Sequence, residues 1–464
     1  MIRLFKVSIP SSAVALLVSE AILIFSCYIL ATYWALDVAA DVYLMDDGGL
    51  WAVVLLASVI LLGLYFYDLY ENYRIHSRTL LVQQFCLVLG VAFLLQALLN
   101  YARWNFLLLP RLTMMYGSLL ALAILPAWRI LFTGLVWKAL GSQKLLFLGS
   151  SQAVQQIIVR IFERPELGLA AIGYLDNDRE APEYLSGAPL LGRVSDLDQV
   201  VADQHPDTIV VGMPERRLNL PVERLLHLRF SGIRIEEAAL TYEAIFRRVS
   251  TRDLRPSQLI FSHELGPQRS SMALQSVYSW IIGLIGTIVT LPIMLIVALL
   301  VKLTSKGPVL FRQKRVGFDG SIFTVFKFRS MSQDAEARTG AVWATKNDPR
   351  ITPLGKWLRQ LRLDELPQLF NVLRGEMSIV GPRPERPEFV SVLQETIPYY
   401  RQRHCVKPGI TGWAQINHKY GDTIEDSLIK LEYDLYYIKN LAVSLDAYIV
   451  FHTVKTMLLG RGAQ

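Results

Sequence analysis

The sequence predicts a membrane-bound chain in three parts. These are a membrane α-helical N-terminal four-helix block, a small Rossmann-like α/β domain, and a C-terminal, mainly α block that opens on a re-entrant, proline-broken helix. Three observations predict this. Four apolar runs open the chain, each long enough for a membrane helix of ~20 residues. Strand-like and helix-like patterns then alternate, as in a parallel α/β domain. A fifth apolar run carries Pro292 near its middle and leads into a basic block. The 52% hydrophobic content is high for a soluble protein of 464 residues and agrees with membrane segments. The expected boundaries are residues 1–140, 141–238, a connector 239–275, and 276–464.

The four runs are about Ser12–Leu36, Leu50–Tyr70, Leu80–Tyr101 and Leu112–Trp137. Arg3 and Lys6 precede the first, four aspartates (Asp37, Asp41, Asp46, Asp47) follow it, Arg74, His76 and Arg78 follow the second, and Lys138 and Lys144 follow the fourth. The positive-inside rule then puts both ends of the block in the cytoplasm, with Arg103 and Arg111 weighing against it. Glu20, inside the first run, is either functional or partnered within the bundle. Cys27, Cys86 and Cys405 show no metal spacing and no disulfide framework. No cleavable signal is evident, because the first run is too long for a signal core.

From Gln143 the pattern changes. Lys144–Gly149, Ala170–Leu175, Thr208–Val211 and Ile233–Ile235 read as strands; Ala153–Phe162, Leu197–Ala202 and Val222–Phe230 read as helices. The first turn has one glycine, Gly149, where a dinucleotide fingerprint wants three, so a Rossmann-like shape is expected without bound NAD. The fifth run, Ser276–Leu303, is long enough to span. A full crossing would carry the following 23 Lys and Arg residues (against 16 Asp and Glu) out of the cytoplasm, whereas a helix that bends at Pro292 and returns keeps them inside. Thr290 is expected to satisfy a freed carbonyl there. A hairpin around Gly317–Gly320, an interfacial helix over Ile351–Leu363 and two amphipathic helices near Thr423–Ile438 and Ser444–Leu459 complete the reading.

The stretch 362–384 carries the chemistry. Leu366, Leu369, Phe370 and Leu373 give one apolar helix face, with Pro367 in the first turn and Gly375 past the end. Asp364 and Glu365 then sit at a helix start, where anions such as phosphates are favoured, and a rigid Gly-Pro-Arg-Pro turn holds Arg383. For the acidic pair alone, a plain helix cap is the competing reading.

Five motifs now stand in order: Arg315-Val316-Gly317, Phe326-Lys327-Phe328-Arg329-Ser330-Met331, Leu363-Asp364-Glu365-Leu366-Pro367-Gln368-Leu369-Phe370-Asn371-Val372-Leu373, Met377-Ser378-Ile379-Val380-Gly381-Pro382-Arg383-Pro384, and Lys407-Pro408-Gly409-Ile410-Thr411-Gly412-Trp413-Ala414-Gln415. Together with the broken helix they resemble the bacterial sugar transferase family, the monotopic phosphoglycosyl transferases, in its long form. The resemblance covers about residues 276–464, and it departs from the family in having Leu291, not serine, before Pro292. It implies transfer of a hexose-1-phosphate, of glucose or galactose type, from a UDP-sugar to polyprenyl phosphate with release of UMP, as the first membrane step of exopolysaccharide synthesis. It also implies Asp364 as nucleophile, Glu365 with Asp364 as ligands of Mg²⁺, and Lys327, Arg329, Arg383, Arg401, Arg403, Lys407, Gly409 and Thr411 as phosphate- or substrate-binding residues. The partners implied are the bacterial inner membrane, with the catalytic block on its cytoplasmic side, and a possible homodimer. No nucleic-acid motif appears.

Two other readings compete. A nucleotide-sugar dehydratase or epimerase needs a glycine-rich turn and a Tyr-x-x-x-Lys pair, and no tyrosine here precedes a lysine by four positions. A non-catalytic membrane scaffold would leave Asp364-Glu365 as a cap and the five motifs without a purpose.

Overall fold

The computed structural model describes residues 2–4, 6–70, 77–101, 109–139, 142–178, 181–213, 220–251, 266–332, 350–418, 421 and 423–459. The expectations that rest on Arg74, His76 and Arg103 lie outside these residues. The chain divides into two compact units: Met1–Ile2, Ser8–Ser150 and Ile158–Ile235 form one, and Arg3–Val7, Ser151–Ile157 and Glu236–Gln464 form the other.

In the first unit, α1 (Ser11–Leu36), α2 (Gly49–Phe66), α3 (Arg78–Tyr101) and α4 (Arg111–Ala139) follow the four apolar runs. Each holds a stretch long and apolar enough to cross a membrane. They pack through Leu16, Ile24, Tyr28, Leu56, Ile60, Phe85, Ala121 and Leu125, while apolar residues on their outer faces stay exposed. Glu20 is partnered: Arg129 donates to both its carboxylate oxygens (2.8 and 2.7 Å), and the Tyr70 hydroxyl adds a third bond of 2.6 Å. All three are buried.

A six-stranded sheet follows, built from β1 (Gln143–Leu148), β2 (Leu169–Leu175), β3 (Tyr184–Leu185), β4 (Ala188–Gly192), β5 (Thr208–Val211) and β6 (Arg234–Glu237), in the order β3–β4–β2–β1–β5–β6. β1 pairs in parallel with β2 and β5. The helices α5 (Gln152–Glu163), α6 (Leu197–Gln204) and α7 (Val222–Phe230) fall where the 3.6-residue period put them. The short hairpin β3–β4 was not foreseen, since two- and five-residue strands have too few positions to show alternation.

The second unit begins with α8 (Ala238–Phe246) in what the sequence suggested was connector. The fifth apolar run becomes α9 (Arg269–Thr304), which starts seven residues earlier than expected and remains helical through Pro292. Thr290 Oγ1 donates to the Gly286 carbonyl (2.7 Å), not to the Ile288 carbonyl that the proline leaves without its intrahelical partner. One face of α9 is packed: Gly283 admits Val372 and Gly286 meets Leu369, because a Cβ at Gly283 would stand 2.9 Å from Val372. Met294, Val297 and Val301 pack on Phe328 and Leu358. The other face exposes Ile285, Ile288, Val289, Leu295, Ile296 and Leu299.

β7 (Leu310–Val316) and β8 (Ile322–Phe328) form the expected antiparallel hairpin. α10 (Pro353–Gln360), capped by Thr352, exposes Trp357 and is shorter than predicted. It stops before Arg362, which takes a left-handed conformation (φ 55°). α11 (Gln368–Leu373) follows, then β9 (Ser378–Val380), α12 (Pro387–Thr396), β10 (Gly409–Thr411), α13 (Trp413–Asn417), α14 (Ile424–Lys439) and α15 (Val443–Leu458). β9 and β10 pair in parallel. Val380, Val390, Trp413, Leu431, Leu435 and Ile449 form the core beneath them.

Candidate active site

Asp364 and Glu365 lie in a single 3-10 turn, Leu363–Glu365, and not at the start of α11 as the sequence suggested. The left-handed Arg362 ends one helical path and Pro367 begins the next, so the acidic pair occupies the corner between them. Leu363 and Leu366 anchor the corner on the cluster of Met294, Val297, Phe328 and Leu358. α11 has only six residues, which leaves too short a dipole to serve as an anion site.

Three cations converge on Glu365. Lys327 Nζ, from β8, donates to Oε1 at 3.0 Å, and Arg383 Nη2 donates to the same oxygen at 3.1 Å. Arg362 Nη1 stands 3.8 Å from Oε2. Burial pushes the Glu365 carboxyl up, but Lys327, Arg383 and Arg362 outweigh it and hold the group well below the usual carboxylate range. Asp364 goes the other way. Burial and the neighbouring Glu365 charge raise its pKa against the pull of Lys327, Arg359 and Arg383. No side chain among the described residues hydrogen-bonds the Asp364 carboxylate. The pair is therefore split into a tightly held anion and a more basic, unencumbered one, which is how adjacent acids take different chemical roles.

The other predicted residues divide. Arg383 is held by backbone: Gly381 N donates to Thr411 O (2.9 Å), and Gly409 N donates to Pro382 O (3.0 Å). Gly409 has no room for a side chain, since a Cβ there would stand 2.1 Å from Gly381 N. Thr411 is buried and bonded to Thr453 (2.6 Å). Arg403 is spent on scaffolding. It pairs with Asp434 (2.9 Å), donates to Tyr400 Oη (2.6 Å) and holds the Arg383 carbonyl (3.0 Å). Arg329 turns to the end of α9, where Pro308, Ser305 and Val301 accept from it. Lys407 lies beside Gly375, past the end of α11. Thus Arg329, Arg403, Gly409 and Thr411 make contacts within the frame around Lys327, Arg383, Asp364 and Glu365, and Lys407 lies beside that frame. Arg401 is exposed.

Two arginines from the stretch read as an interfacial helix over Ile351–Leu363 belong here. Arg359 is tied to Ser330 Oγ (3.0 Å) and its charge acts on Asp364; Arg362 faces Glu365. Their i, i+3 spacing just before the acidic pair was the available signal. As to the metal, no group of three or more His, Cys, Asp or Glu occurs among the described residues. Two adjacent carboxylates nonetheless suit Mg²⁺, which is commonly bound through one or two carboxylates with substrate phosphates and waters completing the shell.

The bacterial sugar transferase family model matches residues 270–460, and a model described as a CoA-binding domain matches residues 65–228. The UDP-N-acetylgalactosamine-undecaprenyl-phosphate N-acetylgalactosaminephosphotransferase of Aeromonas hydrophila is 36% identical over 395 residues, covering 81% of this chain and 86% of that protein. The UDP-glucose:undecaprenyl-phosphate glucose-1-phosphate transferase of Xanthomonas campestris pv. campestris is 35% identical over 68% of this chain and 66% of its own length. The enzyme of that name from Escherichia coli K12 is 50% identical over 35% of each.

Proposed function

The chain belongs to the bacterial sugar transferase family, and from that premise we propose that it moves a sugar-1-phosphate from a UDP-sugar to undecaprenyl phosphate, releasing UMP, at the start of exopolysaccharide synthesis. The observation that carries the reading is the meeting of Lys327 and Arg383 on one oxygen of Glu365 beside the unbonded Asp364. An Asp364 oxygen attacks the sugar-bearing phosphorus. The bond from that phosphorus to the bridging oxygen breaks, and UMP leaves with the electron pair. The sugar phosphate is then an acyl phosphate on Asp364. An oxygen of the lipid phosphate attacks the same phosphorus, the bond to Asp364 breaks, and the carboxylate is restored. Dividing the transfer in this way keeps two bulky anions from having to meet in one step.

Lys327 and Arg383 neutralise the diphosphate as charge builds on UMP; Arg383 brings a planar donor fork and Lys327 a point charge. Glu365 keeps both cations aimed at the reacting phosphorus. Mg²⁺, held by Glu365 and Asp364, would supply further neutralisation of the diphosphate. Arg401, which is exposed, is assigned to the nucleotide.

Both ends of α9 bond the same unit, at Gln275 and at Val301. Val301 is 26 residues after Gln275, ~39 Å along a straight helix, more than the ~30 Å hydrocarbon core. A straight crossing would put those two contacts on opposite sides of the membrane. This supports a re-entrant α9 and a catalytic block on the cytoplasmic side of the inner membrane, with Trp357 and the apolar face of α9 in lipid. The sugar is a hexose or N-acetylhexosamine, as the names of the three relatives suggest. Purified protein with Mg²⁺, polyprenyl phosphate and a panel of UDP-sugars should release UMP, and Asp364→Asn should not, because an amide cannot form the acyl phosphate. Full activity of that variant would sink the covalent mechanism.

A further inference from the structure

The helix α9 is hydrogen-bonded at its two ends to the two arms that close on Glu365. At the C-terminal end, Arg329 is 6% exposed and points away from the acidic pair. Its Nη2 donates to Ser305 O (2.8 Å), Ser305 Oγ (2.7 Å) and Val301 O (3.4 Å), and Nη1 donates to Pro308 O. Val301 is among the last four residues of the helix, whose carbonyls lack intrahelical donors, and a cation there meets the negative end of the dipole. Arg329 follows directly on β8, two residues after Lys327.

At the N-terminal end, Gln275 Nε2 donates to Val380 O (3.2 Å) and to Asp446 Oδ2 (2.8 Å), and the Tyr278 hydroxyl donates to the same carboxylate. Val380 closes β9, three residues before Arg383. Lys327 and Arg383 meet on one oxygen of Glu365, yet each is tied to a different end of a single apolar helix with Pro292 between.

We propose that α9 is a gauge of the bilayer: Arg329 and Gln275 are positioning residues that convert the seat of this helix in the lipid into the spacing of Lys327 and Arg383, so that turnover depends on membrane thickness. The proposal rests on the reading of those two cations as the holders of the diphosphate. A helix that dips into one leaflet and returns changes its bend as that leaflet thickens or thins, and bending is easiest where a proline has removed a backbone bond. Bonded ends carry the movement to both arms. Catalysis that relies on placement is sensitive to such movement, since a shift of ~1 Å can cost a hundredfold in rate.

The test uses the full chain in nanodiscs of phosphatidylcholines of increasing acyl length. Wild-type kcat for UMP release should pass through an optimum. Arg329→Gln should lower kcat by roughly tenfold to a hundredfold at that optimum, leave KM for the UDP-sugar within about twofold, and flatten the profile. Arg329→Lys, which keeps a charge at the helix end, should recover part of both. Should Arg329→Gln not fold, Gln275→Leu frees the opposite end and carries the same expectation. A flat wild-type profile, or a variant that keeps the optimum, overturns the proposal. Deuterium uptake at Phe326–Arg329 and Val380–Arg383 reads the gauge without turnover. It should follow thickness in the wild type and not in Arg329→Gln; uptake indifferent to thickness overturns the gauge. Uptake that follows thickness in a chain that turns over no UDP-sugar upholds the gauge and defeats the functional reading.

Discussion

Replacing Arg383 by alanine tests the acidic pair and its cations most directly. In the wild type, Glu365 Oε1 takes charge-assisted bonds from Lys327 (3.0 Å) and Arg383 (3.1 Å). Each such bond is worth ~1.5–3 kcal/mol. Arg383→Ala deletes one of them and removes a phosphate donor at the same stroke. A loss of ~3 kcal/mol in transition-state stabilisation corresponds to roughly a hundredfold in kcat/KM. Because the diphosphate gains charge on the leaving oxygen as UMP departs, most of that loss should fall on kcat and little on KM. Arg383→Lys keeps the charge but not the planar fork, and should fall between the two, near a tenfold loss. Arg383 is part-exposed, with 27% of its side chain accessible, so the fold should survive both changes. The assay is UMP release under initial-rate conditions, with thermal melting as the control. Arg383→Ala that retains wild-type kcat/KM, with an unchanged melting temperature, would refute the assignment of Arg383 to the reacting phosphates.

Three further outcomes are expected. Gly409→Ala should destabilise the second unit by more than ~2 kcal/mol, because the added Cβ would lie 2.1 Å from Gly381 N; a melting temperature equal to wild type would count against the close pairing of β9 and β10. Burial, with Arg403 and Arg401 close by, pushes His404 from 6.5 down to about 4. The unfolded chain therefore binds this proton first as pH falls, so the stability that neutral His404 supports is complete above 6.5 and is lost between 6.5 and about 4, by roughly 3 kcal/mol. His404→Asn should flatten that acid limb in melting curves, and an equally steep limb in the variant would exclude His404 as its source. For topology, a thiol introduced at the exposed Glu388, in a chain whose Cys86 is replaced, should label only from the cytoplasmic side; labelling from the periplasm would make α9 a full crossing. A probe at Gly340 would test the same point but lies outside the described residues.

What could be read in advance depended on how far apart the cooperating residues lie. The helices α1 to α4 were legible because each is a continuous apolar run, and Leu354, Trp357 and Leu358 announced α10 by their spacing. The β9–β10 pair was not, since three-residue strands carry no period. Lys327 and Glu365 are 38 residues apart, and only the motif resemblance brought them together. Lys327 and Arg329 looked equivalent in one basic strand. Tertiary surroundings separated them, because β8 ends at Phe328 and the next side chain meets the frayed carbonyls of α9. The same holds for Asp364-Glu365: composition marked the pair as interesting, but its place in a corner depends on Arg362 adopting a left-handed conformation, which arginine does not advertise.

The buried pair of Glu20 and Arg129 also imposes an order in time. Glu20 lies on α1 and Arg129 on α4, 109 residues later. At ~5–20 residues per second of synthesis, α1 waits several seconds for its partner. Through that interval its carboxylate has at most the Tyr70 hydroxyl as a partner, in a helix otherwise suited to lipid, at a cost of up to ~3 kcal/mol. The ion pair between the first and fourth helices therefore forms only once the fourth helix is made. A truncation before Arg129 leaves Glu20 with the Tyr70 hydroxyl but without its counter-ion.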